Sequence, residues 1–184
     1  MAGSLIKIDE FTVSSAVASV ILGGGSSGSS GLNTSIDSTY DVYMVKFNNV
    51  TLNISGSGLY TRVTTSGTAD SDSEYDIAYK QLRAGGSFAN TTNTNGNLWD
   101  LTTQYVATGV SANGILYLYN FNNSSEYSFI TLETAFFWSG TNQLTGNQGG
   151  GVHTVGEIND GISFLSDSGR TYESGTFSLF GLAK

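Results

Sequence analysis

The chain has 184 residues, with 15 acidic and 7 basic side chains for a formal net charge of −8, no cysteine and no proline. That length suits a single domain with a substantial core. The absence of cysteine excludes a disulfide framework, a thiolate metal site and a thiol nucleophile. The few Lys and Arg never cluster, which excludes the basic stripe that nucleic-acid binding requires.

The opening "MAGSLIKIDEF" lacks the charged start and apolar core of a signal peptide, so the product is expected to be soluble and made in a cytoplasm, whatever its final location. No apolar run approaches the roughly 20 residues of a membrane-spanning helix, and no membrane insertion is expected. The 24 glycines, amid plentiful Ser, Thr and Asn, suit short strands joined by tight turns better than helices.

Period-two alternation, the mark of a strand with one buried face, recurs along the chain. The first strands expected are "LIKIDEFTV" (Leu5 to Val13) and "AVASVIL" (Ala16 to Leu22), followed by a Gly/Ser-rich loop at about 23–36. Next come "YDVYMVKF" (Tyr40 to Phe47) and "NVTLNI", which puts Val50, Leu52 and Ile54 on one face. "SGSG" (Ser55 to Gly58) then reads as a turn into "GLYTRVTT", with Leu59, Thr61 and Val63 on one face, so these two segments are expected to form a hairpin.

After "YDIAYK" (Tyr75 to Lys80), the segment "ANTTNTNGN" (Ala89 to Asn97) reads as a loop. "GILYLYNF" (Gly114 to Phe121) and "YSFITLETAFFW" (Tyr127 to Trp138) are the richest strands, separated by "NNSSE". "SGTNQLTGNQGG" (Ser139 to Gly150) reads as a second loop. The last strands are "GVHTVGEI" (Gly151 to Ile158), "GISFLS" (Gly161 to Ser166) and "GTFSLFGL" (Gly175 to Leu182). No segment sustains a helical apolar period. The expected fold is all-β: one antiparallel β-sandwich over residues 1–184, jelly-roll-like, with little or no helix.

Four features invite a chemical reading. "GGGSSG" (Gly23 to Gly28) fits G-x-G-x-x-G and, from Gly24, G-x-S-x-G with Ser26 as nucleophile. Both motifs demand a helix after the glycines, and "SSGLNTSIDSTYDVYMVKF" has no helical pattern, so a loop is the better reading. His153, the only histidine, has Glu157 four residues on. Along a straight strand these stand about 13 Å apart, beyond the reach that general-base pairing needs.

"DSDSEYD" sets Asp70, Asp72, Glu74 and Asp76 at alternate positions. It lacks the Gly and Glu positions of a calcium loop and reads as the solvent face of a strand entry. Trp99 and Trp138, with other aromatics, suit a sugar-binding face, although most aromatics are expected in the core, and Tyr117, Tyr119 and Phe121 suit a buried or intersubunit face. Sequons such as Asn49-Val50-Thr51 are expected to be idle. The residues assign no catalytic group, cofactor or metal site.

The blocks "MAGSLIKIDE", "DSTYDVYMVKFNNV" (Asp37 to Val50), "LYNFNNSSEYSFITLE" (Leu118 to Glu133), "GGGVHTVGEINDGISFLSDSG" (Gly149 to Gly169) and "SGTFSLFGLAK" (Ser174 to Lys184) resemble a family of small structural proteins of tailed bacteriophages, common in phages of marine bacteria and cyanobacteria. The ending "GTFSLFGL" is similar to a G-x-x-x-L-Y-G terminus shared by many phage surface proteins, with Phe180 in place of Tyr. The resemblance implies a non-enzymatic virion component, displayed on capsid or tail as a decoration, knob or fibre-associated protein. It further implies an all-β homo-oligomer that contacts other virion proteins. The alternative, which rests on exposed aromatics and Asn or Asp side chains, is a receptor-binding module for host-surface glycans. The stretch from about Gly24 to Ser35 departs from the family's shorter turn.

Overall fold

Apolar residues at alternate positions give most of the strands one side that avoids water, and two antiparallel sheets turn those sides toward each other. The computed structural model describes residues 4–25, 35–54, 56–102, 105–167 and 169–182, among which there are thirteen strands and no helix. The first seven are β1 (Leu5–Thr12), β2 (Ser19–Gly23), β3 (Val42–Leu52), β4 (Leu59–Thr65), β5 (Thr68–Ala69), β6 (Tyr75–Arg83) and β7 (Phe88–Gly96). The rest are β8 (Trp99–Asp100), β9 (Ala112–Tyr119), β10 (Ser128–Trp138), β11 (Gln143–His153), β12 (Gly161–Ser166) and β13 (Tyr172–Leu182). The larger sheet has eight strands in the order β1-β13-β3-β9-β10-β11-β6-β7, and the smaller runs β2-β12-β4-β5, with β8 pairing β4.

The larger sheet sends Val45, Phe47, Leu116, Leu118, Ile130 and Leu132 inward, all buried. From the smaller sheet Val20, Leu22, Val63, Ile162 and Phe164 meet them. The sheets are joined by an aromatic cluster in which Phe164 lies 5.9 Å from Phe47 and 5.0 Å from Phe177, ring centre to ring centre. Tyr172 meets Phe177 edge-on at 5.4 Å. Each such ring contributes roughly 1.5–3 kcal/mol by leaving water. Gly114 on β9 leaves the space the Phe47 ring fills, since a Cβ there would overlap it.

The expected antiparallel sandwich is present, with four local corrections. "YDVYMVKF" and "NVTLNI" form one strand, β3, irregular between Phe47 and Val50, where Asn49 adopts φ 53°. The expected hairpin between "NVTLNI" and "GLYTRVTT" does not form. Both edges of β3 are taken by β13 and β9, and β4 pairs β12 in the other sheet.

The two expected loops are largely strands: "ANTTNTNGN" lies in β7 and "SGTNQLTGNQGG" in β11, while "GVHTVGEI" leaves the sheet after His153. Long flanking strands hold these Asn-, Thr- and Gly-rich segments extended whatever their own preference. In β11 the glycines also make room: a Cβ at Gly151 would stand 2.6 Å from Trp99 Nε1. Of the Gly/Ser-rich loop, residues 26–34, including Ser26, lie outside the described residues.

Truncating Phe164 to Ala should cost about 3–5 kcal/mol, and Gly114→Ala about 1–3 kcal/mol by overpacking against Phe47. Urea unfolding of the two variants measures both values, and a near-neutral Phe164→Ala would contradict the assigned role of this cluster.

Candidate functional site

The described glycines of "GGGSSG" close β2 rather than open a ligand site. The Gly23 amide donates to the buried Asp9 carboxylate at 2.9 Å, and the Gly24 amide donates to the Asp160 carbonyl at 2.8 Å. These two amides are thus engaged within the chain and not free for a phosphate.

His153 ends β11, and its fully buried ring packs 4.9 Å from Tyr75, which in turn meets Trp99 edge-on at 5.0 Å. Its Nε2 stands 3.0 Å from Asp70 Oδ2 and 3.3 Å from Glu74 Oε2. Its Nδ1 is 3.9 Å from Glu157 Oε1. The straight-strand spacing between His153 and Glu157 does not hold, because the chain turns away immediately after His153. The Thr154 amide and hydroxyl both donate to the Glu74 carbonyl, at 2.8 and 3.0 Å, and fix that turn.

The acidic run does not act as one array. Asp70 and Glu74 converge on the imidazole, Asp72 is exposed, and Asp76 accepts the Asn95 amide at 2.8 Å. Asp70 Oδ1 accepts from the Asp72 amide at 2.9 Å, which aims Oδ2 at the ring. Burial and the nearby Asp70 push the Glu74 carboxyl above its ordinary range, Asp72 and Glu157 adding to the shift and His153 opposing it. Burial, helped by Asp70, likewise raises the Tyr75 hydroxyl. One oxygen each of Asp70 and Glu157 and one nitrogen of His153 lie within 4.8 Å of one another. Among the described residues, the groups facing the ring nitrogens are carboxylates, and Ser26 lies outside those residues.

Trp99 is fully buried, its Nε1 donating toward the carbonyls of Asp76 (3.1 Å) and Val152 (3.3 Å), so it is a strut between β6 and β11 and no platform for a sugar. Trp138 is half-buried under the Arg83 guanidinium, 4.8 Å from the ring centre.

The larger sheet also has an outer face, and register assigns its side chains to cross-strand rows. One row runs Val42–Tyr119–Phe129–Val152. The next runs Lys7–Phe180–Met44–Tyr117–Thr131–Gly150–Ala78. The third runs Glu10–Ser178–Lys46–Ile115–Glu133–Gln148–Lys80. Tyr117 and Tyr119 therefore point away from the core, while Phe121 is buried. Hollows of about 360 Å³ (by Tyr117 and Thr131), 380 Å³ (by Phe129 and Val152) and 540 Å³ (by Lys46 and Ala135) lie along this face.

Sequence alternation separates the two sides of each strand but does not say which stays uncovered. The available signal was the apolar character of residues on the side opposite the core, such as Tyr117, Phe129 and Phe180. Neither a protein-family model nor a curated protein matches the chain.

Adjacent residues on β10 test the assignment of faces. Ile130→Ala should cost about 2–5 kcal/mol, whereas Phe129→Ala, on the open side, should cost about 1 kcal/mol or less, as read by denaturant unfolding of dilute protein.

Proposed function

We propose that the chain is a non-enzymatic structural component of a tailed-phage virion, exposed on the particle as a capsid decoration, knob or tail-fibre-associated module, and that it assembles by pairing the outer face of its larger sheet with a second copy. The phage assignment rests on the separated sequence blocks and the "GTFSLFGL" ending. The observation that carries the assembly is the order of charges across the third row.

Counting outward from Ile115, Lys46 on one side balances Glu133 on the other, and farther out Glu10 balances Lys80. A two-fold axis along the strands through Ile115 places Lys46 against Glu133 of the second copy and Glu10 against Lys80. An axis across the strands would instead oppose like charges, at a cost of several kcal/mol. The same operation sets the bulky Phe180 and Met44 over Gly150 and Thr131 of the second copy, and Val42 over Phe129. Such self-complementarity is what an isologous interface requires.

Seven inter-strand spacings of about 4.8 Å and eight residues at about 3.3 Å give a face of roughly 34 by 26 Å. That is close to the ~800 Å² per partner of a stable interface. Facing sheets packed about 10 Å apart, at roughly −30°, tolerate this arrangement.

Sedimentation of the purified chain should show a dimer or a multiple of one. Lys46→Glu and Glu133→Lys should each weaken association at least about tenfold, or ~1.4 kcal/mol, and the double swap should restore it. Mass spectrometry of purified particles should detect the chain. A chain that stays monomeric at high concentration removes the interface, and absence from particles removes the virion role.

A further inference from the structure

The chain crosses between sheets twice at one corner of the sandwich. Residues 70–74 lead from β5 of the smaller sheet to β6 of the larger, and residues 154–160 lead from β11 back to β12. Asp70 and Glu74 belong to the first crossing; His153 ends β11 just before the second, to which Glu157 belongs. The four groups described above therefore meet where both crossings pass.

Two carboxylates converge on one nitrogen, His153 Nε2, at 3.0 and 3.3 Å. A single N–H aims well at one acceptor, not two. Ligand atoms each about 2.1 Å from a metal stand roughly 3.0–3.4 Å apart when the angle between them lies between a right angle and the tetrahedral value. Both spacings are ones that a shared cation would give, and donor atoms of Asp70, His153 and Glu157 also lie within 4.8 Å of one another.

The other side of the ring is an independent observation. Nδ1 is fully buried and has no hydrogen-bond partner, with Glu157 Oε1 3.9 Å away. If a neutral ring donates from Nε2 to Asp70, Nδ1 turns a lone pair toward the Glu157 carboxylate, acceptor against acceptor. Coordination through Nε2 moves the ring proton to Nδ1, where a small approach of Glu157 supplies its acceptor. A carboxylate behind a ligating histidine is the usual outer partner of such a ligand.

We infer that this corner binds one divalent first-row transition-metal ion of the zinc type, with His153 Nε2, Asp70 and Glu74 as ligands, Glu157 holding the Nδ1 proton, and water completing the shell. Imidazole selects such ions over calcium and magnesium, which take oxygen ligands. The ion would staple the two crossings and stabilise the folded chain by mass action.

Chelator-treated, dialysed protein titrated with Zn²⁺ alone should take up one ion per chain by calorimetry. Its melting temperature should rise by roughly 5–10 °C at a free Zn²⁺ concentration a hundredfold above Kd. Co²⁺ in place of Zn²⁺ should give visible absorption bands. Asp70→Asn and Glu74→Gln should each weaken Zn²⁺ binding at least tenfold and Glu157→Gln about tenfold, while the remote Glu173→Gln should leave it unchanged. His153 stays in place because it is part of the core, and circular dichroism checks that each variant folds. Absence of saturable uptake by the parent chain, or parental affinity in both Asp70→Asn and Glu74→Gln, would overturn the inference.

Discussion

The fold depends on the contact of Phe164 with Phe47 and Phe177, where the smaller sheet meets the larger. A sheet that leaves both faces in water gains little from its backbone hydrogen bonds, which water would otherwise satisfy. Burial of one face against the other sheet supplies the driving force. The aromatic contact places β12 over β3 and β13, and so decides which side of the larger sheet is core. Everything assigned to the outer face follows from that choice.

Strands rich in β-branched and aromatic residues were legible because their side chains carry the burial pattern themselves. Ser128–Trp138 alternates almost residue by residue between buried and exposed, as its spelling suggests. β7 and β11 were not legible, because Asn, Thr and Gly side chains carry no such pattern and the partners that hold them extended are distant in sequence. The failed hairpin has the same origin: turn composition at 55–58 signals a change of direction but not the sheet the next strand joins.

The histidine corner was half legible. His153, Glu157 and the acidic run stood out by residue type, yet the straight-strand estimate kept them apart. The missing information was a backbone turn fixed by Thr154 and the Glu74 carbonyl, a bond between segments 80 residues apart. The outer face was less legible still. Its charge order emerges only when residues from β1, β13, β3, β9, β10, β11 and β6 are read across the sheet, an order unrelated to their order along the chain.

If the outer faces pair as proposed, the placement of Ile115 at the centre of that row limits how large an assembly can grow. A two-fold pairing uses the same face in both copies, so it closes on itself and cannot propagate into a filament or a lattice. Any higher-order packing has to begin from the boundary of the pair. There β7 presents nine residues with neither a charged side chain nor a proline to block strand addition. Closure at the face and openness at the rim would make the pair, rather than the single chain, the unit that docks.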